Sequence, residues 1–149
     1  MRLNLIDAVL HADDERVVVV KRVLPEEDFV QDHFPTFPVM PGVMMLETMI
    51  QAARRLLAGR DPALARHVLG EVRAVKYGAM VRPGEGLRVE VRLTGEKEAG
   101  VFDFKGQGVV LTAEQLAEDA AGAEGRTAVS GRFSLRPVCL PATPLSPVE

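Results

Sequence analysis

His33 and Glu47 stand at the two ends of one short segment, and they are the residues of this chain best suited to moving protons. An imidazole titrates near neutrality and serves as both acid and base. A carboxyl group held within reach of the same centre can give or take the second proton. Between them runs Phe34-Pro35-Thr36-Phe37-Pro38-Val39-Met40-Pro41-Gly42-Val43. Its three prolines and two aromatics predict a stiff, extended loop carrying His33. Pro41 falls where a helix should begin, a place where its missing N–H would be unsatisfied anyway. Gly42 lets a ligand come close to the backbone, and the first amides of the helix, at Gly42 and Val43, have no acceptor within it. Such amides polarise a carbonyl as charge moves onto its oxygen. Together these groups could remove a proton next to a carbonyl and expel a hydroxyl.

Glu47 follows in the apolar run Val43-Met44-Met45-Leu46-Glu47-Thr48-Met49-Ile50. That setting predicts a desolvated carboxyl group, the state suited to giving a proton. Gln51, one turn on, can hydrogen-bond Glu47 and hold it. Each residue also has a plainer reading. A lone histidine most often ties a loop to backbone, Glu47 could simply meet Arg54 or Arg55 at a partner surface, and Gln51 could make an ordinary polar contact at an interface. His11 and His67 read as surface or structural. Three scattered histidines and the single cysteine, Cys139, give no metal-ligand spacing and exclude a disulfide framework.

A chain of 149 residues is one domain's worth. With 18 basic and 21 acidic residues its formal charge is −3, which implies no bulk attraction to nucleic acid. No run approaches the roughly 18 apolar residues of a membrane span. Asp7 comes too early for a signal peptide, and the expected location is a reducing cytoplasm. Six Met and no Trp suggest an adaptable interior.

The elements that must position the site read as follows. Residues 3–10 and 16–23 are β-rich with a polar turn between them, and the unbroken Val17-Val18-Val19-Val20 predicts a strand covered on both faces. Residues 25–32 are acidic and irregular, with room for one helical turn. The clearest helix spans 41 to about 57, apolar nearly all round and so wrapped by other structure, with Arg54, Arg55 and Arg60 at its negative end and Gly59 placed to stop it. Strands are expected near 68–77, 87–93, 101–111 and 127–138, with a turn at Arg82-Pro83-Gly84-Glu85-Gly86. Thr112-Ala113-Glu114-Gln115 suggests a capping box opening a short helix within an excursion over 112–125. The pattern predicts an α+β domain over 1–138 and a proline-punctuated tail over 139–149.

The run from His33-Phe34-Pro35 through Pro38-Val39-Met40-Pro41-Gly42-Val43 to Leu46-Glu47 and Gln51 resembles the signature of the (3R)-hydroxyacyl-[acyl-carrier-protein] dehydratases. Weaker similarity continues through Val72-Arg73-Ala74-Val75-Lys76-Tyr77, Val81-Arg82-Pro83-Gly84-Glu85 and Phe104-Lys105-Gly106. The acid being Glu resembles the elongation-type enzymes; bifunctional dehydratase/isomerase relatives carry Asp there. The resemblance implies a hotdog fold, an antiparallel sheet wrapped round a long central helix. It implies dehydration of a (3R)-hydroxyacyl group on acyl carrier protein to the trans-2-enoyl product in fatty-acid synthesis. His33 would take the proton from C2, Glu47 would protonate the departing hydroxyl, and the Gly42 amide would hold the thioester oxygen, with Pro41, Val43 and Gln51 in support. It implies no cofactor and no metal. A homodimer is implied too, with His and Glu of one site from different subunits and a trimer of dimers as the larger form.

Three features depart from the family pattern: Thr36 stands where glycine is usual, the sequence before the first strand shows no sign of the family's usual helical segment, and the 112–125 excursion is longer than the hairpin expected there. They keep two alternatives in view, a hotdog acyl-thioesterase and a non-catalytic dehydratase-like acyl-binding subunit. An acidic carrier meeting a net-negative chain requires a local basic patch, for which Arg54, Arg55, Arg60, Lys76, Arg82 and Arg88 are the candidates.

Overall fold

The computed structural model describes residues 3–31 and 36–138. His33 and the 139–149 tail lie outside the described residues.

Six strands form one antiparallel sheet: β1 (Ala8–Ala12), β2 (Arg16–Arg22), β3 (Val68–Tyr77), β4 (Gly86–Glu98), β5 (Val101–Leu111) and β6 (Thr127–Arg136). Their spatial order is β1-β2-β4-β5-β6-β3, which leaves β1 and β3 as edges. The sheet curls around a single long helix, α2 (Gly42–Arg60). Met45, Met49, Ile50, Ala52, Ala53, Leu56 and Leu57 of the helix meet Val17, Val19, Val89, Val91, Phe104, Phe133 and Leu135 of the strands in one core. Phe104 and Phe133 stack at 5.4 Å between ring centroids. The expectation for Val17–Val20 holds, since all four are buried. This is the hotdog architecture.

Four expectations change. The first strand is Ala8–Ala12, not 3–10, so His11 and Ala12 belong to the strand and not to the turn. The helix is not apolar all round: Glu47, Gln51 and Arg54, at i, i+4 and i+7, make a polar stripe that the sheet does not cover. Gly59 does not stop the helix, which runs on to Arg60. The chain turns at Asp61, whose carboxylate accepts from the Ala63 amide where Pro62 opens a short 3-10 turn. β4 also runs five residues past Leu93, to Glu98, because it pairs with β5 along its whole length.

The 112–125 excursion is as the sequence suggests. Thr112 and Gln115 form a reciprocal capping box at the start of α3 (Ala113–Glu118). Leu116 packs on Gly86, where a Cβ would lie 2.7 Å from its methyl carbon. Arg88 Nη1 donates to the carbonyls of Ala120, Ala121 and Ala123 at 3.0, 3.2 and 2.6 Å.

Both flanks of residues 32–35 are anchored. Before them, α1 (Asp28–Gln31) buries Val30. The buried Lys21 ammonium pairs with Glu27 just ahead of that turn. After them, Phe37 lies under the Arg82 guanidinium, 5.0 Å from its ring centroid. Met40 is buried and its amide donates to the Val81 carbonyl at 2.8 Å. Among the described residues only Ala74 among non-glycines has a positive φ.

Candidate active site

Pro41 is the N-cap of α2, in extended conformation (φ −60°, ψ 142°), and no side chain caps the helix. Its carbonyl takes the amides of Met44 and Met45. Among the described residues the Gly42 and Val43 amides have no hydrogen-bond acceptor. They open beside a cavity of about 420 Å³ lined by Val39, Gly42, Val43, Met45, Tyr77 and Met80 with their neighbours. Gly42 is constrained from the other side: a Cβ would lie 2.8 Å from Cε1 of Tyr77. Only glycine lets the aromatic ring close on this turn. The space is apolar, with two free amides at its edge. It suits an acyl chain whose carbonyl accepts from the helix start.

The structure does not enclose Glu47. Its side chain is 34% exposed, and it lies outside the lining of the Gly42 cavity. Met45, Met49 and Ile50 turn to the buried face of the helix, while Glu47 joins the uncovered stripe with exposed Val43 one turn before it. Gln51 does reach Glu47, with Nε2 donating to Oε1 at 3.3 Å. Gln51 is also a splint for the chain start: Oε1 accepts from the Leu5 amide and Nε2 donates to the Leu3 carbonyl, each at 2.9 Å. Arg54 approaches Glu47 Oε1 at 3.9 Å while its Nε donates to the His67 carbonyl at 3.0 Å. Within the chain Glu47 thus has Arg54 as a neighbour alongside the Gln51 contact. No cluster of three or more His, Cys, Asp or Glu side chains that could hold a metal occurs among the described residues.

Of the remaining histidines, His11 is a surface residue bonded to Asp13 at 2.7 Å. His67 is buried, with Nε2 2.7 Å from the Gly100 carbonyl and its ring against Phe102. Tyr77 and Met80 were missed by sequence reasoning. Their signal lay only in being large apolar groups next to glycine and a turn. Both are more than half exposed, as is Val43.

The model of the ApeI-like family, described as ApeI dehydratase, matches residues 9–115. The chain belongs to this dehydratase family. The FabZ 3-hydroxyacyl-[acyl-carrier-protein] dehydratase of Petrotoga mobilis is 32% identical over 116 residues, 78% of this chain and 81% of that protein. The Geobacter metallireducens FabZ is 36% identical over 110 residues, 71% and 73% of the respective chains. In structure, the ApeI-like chain resembles the dehydratase heterocomplex ApeI:P of Xenorhabdus doucetiae (TM-score 0.58, 18% identity, 87% and 96% covered). A Streptococcus mutans protein bound to acetyl-CoA superposes with a TM-score of 0.63 at 12% identity, with 91% of each chain covered. Likenesses at these identities show the hotdog fold. No helix among the described residues is long and apolar enough to cross a membrane.

Proposed function

We propose that this ApeI-like chain dehydrates a (3R)-hydroxyacyl thioester, carried on an acyl carrier protein, to the trans-2-enoyl thioester. The observation that carries the reading is the pair of unaccepted amides at Gly42 and Val43, open to an apolar cavity at the start of the helix that bears Glu47. His33 removes the C2 proton, the Gly42 amide holds the thioester oxygen as charge gathers there, and Glu47 protonates the 3-hydroxyl as it leaves.

Although Val43, one turn before it, is part of the lining of the Gly42 cavity, Glu47 stays outside that lining. This supports a site divided between two copies. The edge strand β3 and the exposed apolar groups Val43, Val72, Tyr77 and Met80 supply a face for such pairing. The FabZ relatives act on acyl-carrier substrates by name, which supports the carrier here. Of the basic candidates, Arg54, Arg60 and Arg88 already donate to backbone carbonyls within the chain. Arg55, Lys76 and Arg82 remain for a partner.

Product analysis with a ladder of 3-hydroxyacyl-carrier thioesters tests the reading. His33→Ala and Glu47→Gln should each lower turnover by about 10²- to 10⁴-fold with folding intact. Mixing the two inactive variants and allowing subunit exchange should restore about a quarter of wild-type activity through heterodimers holding one intact site. Release of free thiol without enoyl product would point to hydrolysis, and unaltered turnover in either variant would overturn the assignment.

A further inference from the structure

The strand register brings five cations into a single row across the outer face of the sheet. Arg16 on β2 pairs with Arg92 on β4, Arg92 with Lys105 on β5, Lys105 with Arg132 on β6, and Arg132 with Arg73 on β3. Lys76, paired with Ser130, stands beside the β3 end of the row. Like charges directly opposite each other on neighbouring strands destabilise a sheet, and here the mismatch repeats at every step. The chain as a whole is net negative, so the row is a local concentration of charge.

Neutralisation is partial and uneven. Glu90 meets Arg92 at 2.8 Å and Arg16 at 3.6 Å, and Glu71 meets Arg73 at 3.7 Å. Among the described residues Lys76, Lys105 and Arg132 have no acidic partner, and all three are exposed. They border a shallow cleft with Gln107 and Ser130, whose polar groups can add hydrogen bonds.

We propose that this row docks an acidic α-helix of a partner protein. Four inter-strand steps of about 4.8 Å give a row about 19 Å long, the length of a helix of about 13 residues. Carboxylates at i, i+3, i+4 and i+7 on such a helix recur about 5–6 Å apart, close to the spacing of the cations. The row is one residue wide and flanked by Glu71 and Glu90, so a flat anionic bilayer would meet carboxylates as well as cations. The face offers no aromatic side chain to stack a base: Phe104 and Phe133 point into the core. The inference does not depend on the chemistry assigned to Glu47.

The test uses the whole chain and a labelled, side-chain-cross-linked helical peptide of about 14 residues with Glu along one face. Fluorescence anisotropy should show binding that weakens about tenfold or more between low and high salt. Lys105→Glu/Arg132→Glu should weaken it by a further tenfold or more, and Lys105→Gln/Arg132→Gln should act in the same direction. Both variants relieve like-charge repulsion, so their melting temperatures should not fall, which separates lost docking from lost folding. Amide shifts on peptide addition should map to Lys105, Gln107, Ser130 and Arg132. No binding of the peptide, or equal binding by wild type and both variants, would overturn the proposal. So would tighter binding through Lys105 and Arg132 of phosphatidylglycerol vesicles or of an oligothymidylate, assayed in parallel.

Discussion

Replacing Gln51 by alanine should loosen the chain start and the candidate acid at once. The side chain makes two bonds to the Leu3–Leu5 backbone and a longer one to Glu47. The Leu3 carbonyl is exposed and can turn to water, so its bond contributes little. The Leu5 amide is partly buried and Leu5 itself is fully buried, so that donor is left without a partner. An unsatisfied buried group costs about 1–3 kcal/mol. We therefore expect a loss of about 2 kcal/mol, or about 6 °C in Tm for a domain of this size. Glu47 would also lose its positioning contact, and turnover should fall about tenfold. Gln51→Glu separates the two effects. It keeps an acceptor for the Leu5 amide but has no donor for Glu47 and sets a second carboxylate one turn away. Its Tm should fall less than that of Gln51→Ala and its turnover should fall more. Calorimetry and steady-state kinetics on the three proteins decide the matter. A Gln51→Ala melt within about 1 °C of wild type would refute the splint.

Two further outcomes follow from the same structure. Asp13 is held at a pKa of about 2 by the hydrogen bond from His11 and by the Glu15 and Arg16 amides, against an ordinary value of 3.8. Because the folded value is depressed, the stabilisation is present above the unfolded pKa and is lost as pH falls through the folded one. Asp13→Asn should therefore be less stable than wild type at pH 7 in urea unfolding, with the difference disappearing between about pH 4 and pH 2. Glycines should divide by what surrounds them. Gly59→Ala, in the helix with nothing within 4 Å of the new carbon, should raise Tm by about 2 °C. Gly125→Ala, whose Cβ would sit 2.0 Å from the Val110 carbonyl oxygen, should lower stability by about 2 kcal/mol or more in the same melts.

Local signals were legible in the sequence. Strand runs at 68–77 and 101–111, the capping box at Thr112 and the proline start of the long helix all report on neighbours within a few residues. For the same reason the partial exposure of Glu47 in the single chain was not legible. Its sequence neighbours are apolar, but its helical neighbours at i+4 and i+7 are Gln51 and Arg54, and the sheet covers the other face. Arg54, Arg60 and Arg88 looked free because their acceptors are carbonyls at His67, Asp14 and Ala120–Ala123, far away in the chain. The cationic row was hidden altogether. Its members come from five separate strands, and only the pairing register sets them side by side. The Gly42–Val43 part of the candidate site was readable from motif and helix start. The aromatic wall, Tyr77, depended on how β3 returns to the helix.

The way Arg88 holds the 120–123 turn has a consequence for how this chain can drift. Its guanidinium grips main-chain oxygens, and every residue type supplies those. The three alanines there could be exchanged for other residues without loosening the grip, provided the backbone path is kept. Arg88 has no such freedom, because lysine offers one ammonium in place of a planar fork. Variation should therefore accumulate on the excursion while its anchor in the sheet stays fixed, so that the region most changeable in sequence is held by one of the residues least so.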